Sequence, residues 1–332
     1  MEVVAYSPEW LPQLGALARA HARLVAPASL PDDQTVERGL DHHHAWPFYS
    51  PGMDTSQVRL VIEGDQLLAA GQLGLCDHGW GYGAALGDGP DWLHETHAVL
   101  FWLFAWPGWP EAIQAAAQLA ATTVRQARAE GLPGLEAFRG GAGFLPLGTQ
   151  CSSRWPHLFA PLRAVGFRQP RPLVVYGGAL DPSSLPTLDP DVMEHVECHA
   201  RRGRVEAWLD GVPRGVCDAE MLPPVPTEDR FPIRSTFRHN LDINTPAARR
   251  TRRRGGNVLQ WAHIRRLWVD NETRSLGIGR VLLQTQLQRL ADHGATHWAL
   301  HLPEDPGNGP AHGLYSQFGQ VLDRQFVLRV SF

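Results

Sequence analysis

Alternating apolar and polar positions predict a pair of β-strands at two places in the chain. Residues 57–64 (QVRLVIEG) alternate up to a glycine and are followed by a second strand-like run at 67–75. The same pattern returns at 204–211 (RVEAWLDG), with its second run at 214–222. Two such runs on either side of a glycine turn are typical of a β-hairpin. We therefore expect two hairpins, one in each half of the chain.

A helix and two further strands follow each hairpin in the same order. Helical spacing ends at Gly131 in the first half and at Gly294 in the second, and a glycine directly after a helix readily takes a positive φ. The matching segments are helix, strand and closing strand at 115–131, 135–138 and 172–176, and at 279–294, 296–302 and 325–330. The order indicates a duplicated α/β unit, although coincidence between two ordinary α/β patterns is the simpler alternative.

The first half also begins with a strand at 3–6 and a helix at 9–24, for which Ser7 and Pro8 are the expected N-cap and first residue. A proline- and aspartate-rich segment at 181–191 is the natural linker between the halves. The predicted domains are residues 1–182 and 183–332.

Composition supports a folded, two-domain protein. The chain has 332 residues, of which 43% are hydrophobic and 19% charged, which favours well-formed cores over disorder. It contains no lysine, so lysine-dependent covalent chemistry is excluded. Residues 1–166 hold 9 arginines and 16 acidic residues, whereas 167–332 hold 21 arginines and 18 acidic residues. An anionic ligand should therefore prefer the second half.

The four cysteines are scattered without a C-x-x-C pair, which argues against a zinc site or a disulfide framework. The first residues lack the features of a signal peptide, and the longest apolar stretch, 98–106, is too short to span a bilayer. We expect a cytoplasmic protein that does not bind membranes.

One segment carries recognisable binding chemistry. A predicted strand at 261–269 enters a glycine-punctuated loop, and a helix follows at 280–293. Gly277 and Gly279 leave room for a close approach, and amide groups at a helix start form a nest for an anion. Arg274 and Arg280 add fixed positive charge, so the loop suits a pyrophosphate. Neither a Rossmann fingerprint nor a P-loop is present.

The segment resembles motif A of the GNAT N-acetyltransferase superfamily. Val269, Arg274, Gly277 and Gly279 match that motif, whereas Asn271 replaces its proline. A second GNAT motif is matched by Asn308, Ala311, Leu314, Tyr315 and Gly319, whereas Gln320 replaces its phenylalanine. The resemblance covers residues 202–332 well and 1–180 weakly, through the repeat.

The resemblance implies two tandem GNAT-like domains, each with a mixed, largely antiparallel sheet flanked by helices. It implies acetyl-CoA as cosubstrate, no metal, and direct transfer to a primary amine of a small acceptor. The strand end would bind the pantetheine arm through Leu267, Trp268 and Val269. The pyrophosphate would be held by the amides of Arg274, Ser275, Leu276, Gly277, Ile278, Gly279 and Arg280. Asn308 would hydrogen-bond the cofactor, unless it only caps a loop or helix.

Two residues are the candidates for proton transfer. The resemblance makes Tyr315 the acid that protonates the departing thiolate; its alternative is a packing aromatic. A base six residues before Val269 would be His263, and its ordinary pKa suits work near neutrality. A water chain, with His263 an ordinary strand residue, is the alternative. Period-2 alternation predicts that His263, Arg265, Leu267 and Val269 share one face.

The first half lacks these residues. Aligning the helices places Pro110 opposite Arg274, Phe159 opposite Tyr315 and Val99 opposite His263, and no G-x-G follows. We therefore expect this copy not to bind acetyl-CoA in the usual way.

Three other features have competing interpretations. The basic run Arg249–Arg254 is either a solvated loop or a contact for an anion or RNA. The segment Asp41–His44 is either an incidental loop or a set of metal ligands. Five tryptophans of the first half either pack in the core or line an aromatic pocket: Trp80, Trp92, Trp102, Trp106 and Trp109. The alternatives to an enzyme are an acyl-CoA-binding sensor or interaction protein without turnover and, less favoured, a nucleic-acid binder. The sequence leaves the acceptor and the oligomeric state open.

Overall fold

The computed structural model describes residues 1–25, 30–40, 57–76, 91–138, 150–168, 172–186, 190–201, 203–222, 225–226 and 258–332. The chain forms two compact units, Met1–Pro172 with Asp323–Phe332, and Leu173–Leu322. The predicted domain boundary between residues 182 and 183 marks the point at which the sequence repeat begins again. It stays a prediction.

The strands, in chain order, are β1 (Glu2–Ala5), β2 (Val58–Glu63), β3 (Gln66–Cys76), β4 (His97–Ala105), β5 (Gly134–Ala137), β6 (Cys151–Ser152), β7 (Leu173–Ala179), β8 (Val196–Arg201), β9 (Arg204–Leu209), β10 (Val212–Met221), β11 (Val225–Pro226), β12 (Val258–Leu259), β13 (Trp261–Val269), β14 (His297–Pro303), β15 (Gln320–Phe326) and β16 (Leu328–Ser331). The α-helices are α1 (Leu11–Leu24), α2 (Asp33–Leu40), α3 (Pro110–Ala129), α4 (Pro156–Ala164), α5 (Pro190–His195), α6 (Ile278–Asp292) and α7 (Gly309–Tyr315).

Each unit is built on a mixed sheet flanked by helices. In the described residues, one sheet has the strand order β1-β2-β3-β4-β5-β16, and the other has the order β8-β9-β10-β13-β14-β7-β15-β6. The pairs β4–β5 and β13–β14 are parallel, whereas the hairpin pairs β2–β3 and β9–β10 are antiparallel. These sheets confirm the predicted fold class. The order of six strands, β1-β2-β3-β4-β5-β16 in one sheet and β8-β9-β10-β13-β14-β7 in the other, confirms the duplicated pattern.

The closing strands are exchanged between the two copies of the repeat. β7, which the sequence order assigns to the end of the first copy, pairs antiparallel with β14 in the second unit. β16, at the end of the second copy, pairs antiparallel with β5 in the first unit. Linear alternation predicts these strands correctly but does not say which sheet receives them.

Both predicted helix ends are confirmed. Gly131 follows α3 with φ of 70°, and Gly294 follows α6 with φ of 97°. The N-terminal helix differs from the prediction because Pro8–Trp10 form a 3-10 turn and α1 begins only at Leu11. Ser7 is extended at the N-cap, but its hydroxyl donates to the Glu9 carboxylate instead of capping a backbone amide.

The apolar stretch at 98–106 lies largely in β4, a strand in which every residue is buried. A strand covered on both faces needs such a continuous apolar run. Its counterpart β13 is buried only up to Ile264 and then becomes partly exposed. In the part of the chain that the structure describes, no helix has the length and apolar character required to cross a membrane.

Candidate functional site

The second sheet opens between β13 and β14. These parallel strands pair from Trp261 with His297 to Ile264 with Leu300, and the pairing ends there although both strands continue. Beyond Ile264, β13 remains paired with β10 on its other side. The opening that the resemblance implied next to Leu267, Trp268 and Val269 is therefore present.

A β-bulge at Arg265 accompanies the opening. Asp218 of β10 pairs with Arg266, and the next residue, Ala219, pairs with Ile264, so Arg265 is the extra residue. A bulge reverses the facing of all side chains beyond it.

The prediction that His263, Arg265, Leu267 and Val269 share one face of β13 is therefore wrong. Leu267 and Val269 pack against the core that also contains Cys217 and α6, together with Ala262 and Ile264. His263 lies on the opposite face. Period-2 alternation fails here because it assumes an uninterrupted ladder.

Three titratable side chains meet on the His263 face. His263 Nδ1 lies 3.4 Å from Glu220 Oε1, and His263 Nε2 lies 3.2 Å from His301 Nδ1. Arg265 lies 3.7 Å from the other carboxylate oxygen of Glu220. Burial alone would raise the pKa of Glu220, but the hydrogen bond with His263 and the charges of His263 and Arg265 outweigh it and lower that pKa.

The sequence did not identify Glu220 and His301 as neighbours of His263. Their positions follow from the register, since Glu220 is paired with His263 and His301 lies two residues beyond its partner Ala299. Side chains two residues apart in a strand share a face. An alignment of the three strands by register would have found both.

The loop after β13 presents backbone donors at the start of α6. Ser275 and Gly277 adopt left-handed φ angles of 71° and 81°, and Gly277 is the N-cap of α6. Among residues 274–280, the amide groups of Ser275, Gly277, Ile278 and Gly279 have no hydrogen-bond acceptor within the described part of the chain. The amides of Arg274, Leu276 and Arg280 instead donate to carbonyls of the same loop. Four of the seven predicted amides are thus available to an anion.

Side chains around this loop set its electrostatics. Arg274 is exposed, and the Arg280 guanidinium donates to Gln317. Asp270 accepts from the Glu272 amide at 3.1 Å and from Arg214 at 2.9 Å, and these two contacts lower its pKa. The carboxylate of Asp270 is therefore already neutralised by its own partners.

Gly277 and Gly279 are each required for a different structural reason. A Cβ on Gly277 would lie 3.0 Å from Val192 Cγ2, and its φ is positive. A Cβ on Gly279 would lie 3.3 Å from Leu314 Cδ2 and 3.7 Å from Val269 Cγ2. Gly279 thus allows α6 to start close to both α7 and the end of β13.

Helix α7 supplies the remaining candidates. Tyr315 is 6% exposed and packs in the same core as Cys217, with its ring centroid 5.9 Å from that of Tyr176. Burial raises the pKa of Tyr315 well above its ordinary value, and the nearby Cys217 adds to this. The Tyr176 hydroxyl is 3.0 Å from His312 Nδ1. Asn308 is the N-cap residue, and its side-chain amide donates to the Pro303 carbonyl.

Buried aromatic and histidine side chains pack together in the first unit. Phe104 stacks on His21 with ring centroids 4.4 Å apart, and the indole of Trp155 donates to the His21 carbonyl. All three residues are at most 1% exposed. Burial lowers the pKa of His21 to about 3, so that its imidazole is neutral.

Two prolines reduce the number of amide donors in the first-unit loop. α3 begins at Pro110, with Trp109 as the N-cap and Pro107 two residues earlier. Proline has no amide N–H. The Trp109 amide donates to the Trp106 carbonyl.

The remaining sequence features either lie outside the described residues or pack in the first unit. The basic run Arg249–Arg254, the segment Asp41–His44 and Trp80 lie outside the described residues. Trp92 and Trp102 are buried, and the Trp102 indole donates to Gln72. Trp106 and Trp109 stack on each other at 5.5 Å. Within the described ranges no group of three or more histidine, cysteine or acidic side chains could hold a metal ion.

Comparison with known proteins identifies the type of domain. Residues 189–320 match the model of the acetyltransferase (GNAT) family. No curated protein sequence matches the chain.

Solved structures resemble the whole chain. A tandem GNAT protein from the clavulanic acid biosynthesis pathway has 14% identity and a TM-score of 0.60, covering 99% of this chain and 98% of that one. A GCN5-related N-acetyltransferase from Sphaerobacter thermophilus has 14% identity and a TM-score of 0.58, covering 99% and 95%. A glucosamine N-acetyltransferase region of a fungal multi-domain β-N-acetylglucosaminidase has 11% identity and a TM-score of 0.61, covering 99% and 38%. These similarities establish a tandem GNAT fold.

Proposed function

We propose that the chain is an acetyl-CoA-dependent N-acetyltransferase with a small primary amine as acceptor, because residues 189–320 match the model of the acetyltransferase (GNAT) family. The observation that carries this proposal is the opening between β13 and β14 beside the unpaired amides at the start of α6. An extended polar arm fits the first feature, and a pyrophosphate fits the second.

The cosubstrate would be held mainly by backbone groups. The arm would pair with Leu267, Trp268 and Val269 on the side of β13 that faces the opening. Its pyrophosphate would accept from the four amides between Ser275 and Gly279, with Arg274 adding positive charge. The Asn308 amide nitrogen donates to the Pro303 carbonyl, so its side-chain oxygen would be the group that binds the cosubstrate.

The reaction would be a direct transfer. The neutral amine attacks the thioester carbonyl, a C–N bond forms, and the C–S bond breaks. The proton lost by the nitrogen passes to the His263 face, and Tyr315 gives a proton to the departing sulfur. Tyr315 is protonated at neutral pH and therefore has a proton to donate, although burial raises its pKa and makes it a weaker acid than an exposed tyrosine.

His263 and Tyr315 lie on opposite faces of the sheet, which suits this division of labour. The acceptor would approach from the His263 face, whereas the thiolate would leave toward the core that contains Tyr315. Positioning and proton transfer are then the main contributions of the protein.

The test is release of the CoA thiol from acetyl-CoA in the presence of a panel of primary amines, with acetyl-CoA binding measured in parallel. Amine-dependent release supports an acetyltransferase. Acetyl-CoA binding without turnover on any amine supports the sensor alternative, to which the changes at Asn271 and Gln320 point. Absence of both would refute the placement of the cosubstrate.

A further inference from the structure

Trp268 exposes a large aromatic surface beside the opening between β13 and β14. Its side chain is 50% exposed, although its neighbours in the strand, Leu267 and Val269, pack against the core. The ladder with β10 places the side chain of Trp268 on the same face as that of His263, opposite this core. Trp268 therefore lies on the face from which the acceptor would approach.

The first unit has an aromatic residue at the equivalent position of its sheet. In β4 the bulged residue is Phe101, and Phe104 follows it by three residues. In β13 the bulged residue is Arg265, and Trp268 follows it by three residues. Phe104 is 1% exposed, whereas Trp268 is 50% exposed. Equivalent aromatic side chains are therefore covered in one unit and open in the other.

A planar ring covers Phe104. The imidazole of His21 on α1 stacks on it, with ring centroids 4.4 Å apart and an interplanar angle of 29°. Burial lowers the pKa of His21 to about 3, so the stacked ring is uncharged. The contact is thus one between two neutral planar rings, and no cation takes part in it.

The segment that carries His21 has no counterpart between the corresponding strands of the second unit. In the first unit, α1 and α2 lie between β1 and β2, which are neighbours at one end of the sheet. The equivalent neighbours β8 and β9 are joined by residues 202 and 203 alone. This short connection leaves out the helix that would cover Trp268, and its ring is open to a ligand.

Two pairs of charged side chains flank Trp268 on its face. Arg266 lies 2.8 Å from Asp218, and Arg214 lies 2.9 Å from Asp270. A cationic group on a ligand would compete with these arginines for the two carboxylates. A neutral ring requires only the face of the indole and leaves both ion pairs intact. The surroundings of Trp268 therefore favour an uncharged planar group.

We infer that the acceptor amine carries an aromatic ring that stacks on Trp268, as the ring of His21 stacks on Phe104. This inference rests on the proposed acetyl transfer and names the class of its acceptor. The amine reaches the opening beside Leu267 while the aromatic ring lies on the indole. Trp268 thus determines specificity and takes no part in proton transfer.

A pair of amines separates planarity from apolar area. Phenethylamine has a planar ring, and cyclohexylethylamine has a puckered ring of similar size on the same short chain. We expect the wild type to have a higher kcat/KM for phenethylamine, and Trp268→Ala to reduce the ratio of the two kcat/KM values about tenfold. The ring contact is the same before and during the reaction, so the loss should occur in KM. Any effect of the variant on acetyl-CoA cancels in this ratio.

Two further variants are controls for the loss of an indole. Trp268→Phe retains a planar face and should keep most of the preference for phenethylamine. Trp109→Ala removes an exposed tryptophan of the first unit and should leave the ratio at the wild-type value. A wild type without preference, or a W268A ratio equal to that of the wild type, overturns the inference.

Binding provides a readout that does not depend on turnover. Each amine is titrated by calorimetry into the full chain in the presence of CoA. We expect the wild type to bind phenethylamine more tightly than cyclohexylethylamine, and W268A to lose this difference. Equal affinities in the wild type, or no measurable binding of either amine, overturn the inference. If phenethylamine binds through Trp268 but no amine is acetylated, the aromatic site is supported and the proposed acetyl transfer is refuted.

Discussion

His263 and Leu267 are four residues apart in one strand, yet their side chains lie on opposite faces of the sheet because Arg265 bulges between them. The bulge coincides with the point at which β13 leaves β14. One backbone irregularity therefore separates the strand into two parts. The first part carries a titratable side chain on the open face, and the second part offers backbone groups to a ligand.

The loop at the start of α6 can be tested by charge alone. Ser275 is exposed and has a left-handed φ of 71°, which aspartate and asparagine both tolerate. Ser275→Asp should weaken acetyl-CoA binding about tenfold or more, because a negative charge would lie beside the pyrophosphate. Ser275→Asn, which has the same shape and no charge, should bind nearly as well as the wild type. Equal affinities of the two variants, measured by calorimetry, would contradict the placement.

Substitution of Gly277 is less informative than that of Ser275. Any larger residue there meets both a positive φ and a Cβ contact of 3.0 Å with Val192. A loss of binding in such a variant would mix strain with obstruction of the site.

The acid role of Tyr315 predicts a specific kinetic change. Tyr315→Phe removes the hydroxyl but keeps the ring in the core with Cys217. We expect kcat to fall about 100-fold with little change in KM, because an acid acts in the transition state. Tyr176→Phe removes the neighbouring hydroxyl that contacts His312 and should leave kcat within a factor of about two. A normal kcat for Y315F under conditions in which the chemical step limits turnover would exclude this role.

Buried His21 predicts how acid affects the first unit. Burial lowers its folded-state pKa from 6.5 to about 3, so the unfolded chain binds a proton in a range where the folded unit does not. Stability from this group is complete above about pH 6.5 and decreases as the pH falls towards 3. Between pH 7 and pH 5 the loss should be about 2 kcal/mol.

Urea unfolding, followed by the fluorescence of Trp155 and its neighbours, measures this loss. His21→Gln should show a smaller decrease between pH 7 and pH 5 than the wild type, whatever its stability at pH 7. An identical decrease in both proteins would show that His21 does not titrate as its burial requires.

Most of the fold follows from the sequence because the local patterns are uninterrupted. The hairpins β2–β3 and β9–β10 and the glycine-terminated helices α3 and α6 lie close to where spacing placed them. The destinations of β7 and β16 could not be predicted, because strand pairing over long sequence distances leaves no local pattern.

The site was predicted less completely than the fold. The residues between Val269 and Arg280 have a spacing that can be read along the chain. Glu220 and His301 join His263 only through pairing with two other strands. The alternation breaks between Ile264 and Leu267, but the sequence does not show which of the two arginines between them is the extra residue.

The central claim is that the second unit holds one acetyl-CoA and the first holds none. Phe104, His21 and Trp155 pack against one another in the first unit, and Pro107 and Pro110 remove two amide donors from its loop. Calorimetric titration of acetyl-CoA into the full chain tests this most directly. The account predicts one site, which Ser275→Asp weakens and Ser275→Asn does not. Two sites, or one site that Ser275→Asp leaves unchanged, would contradict it.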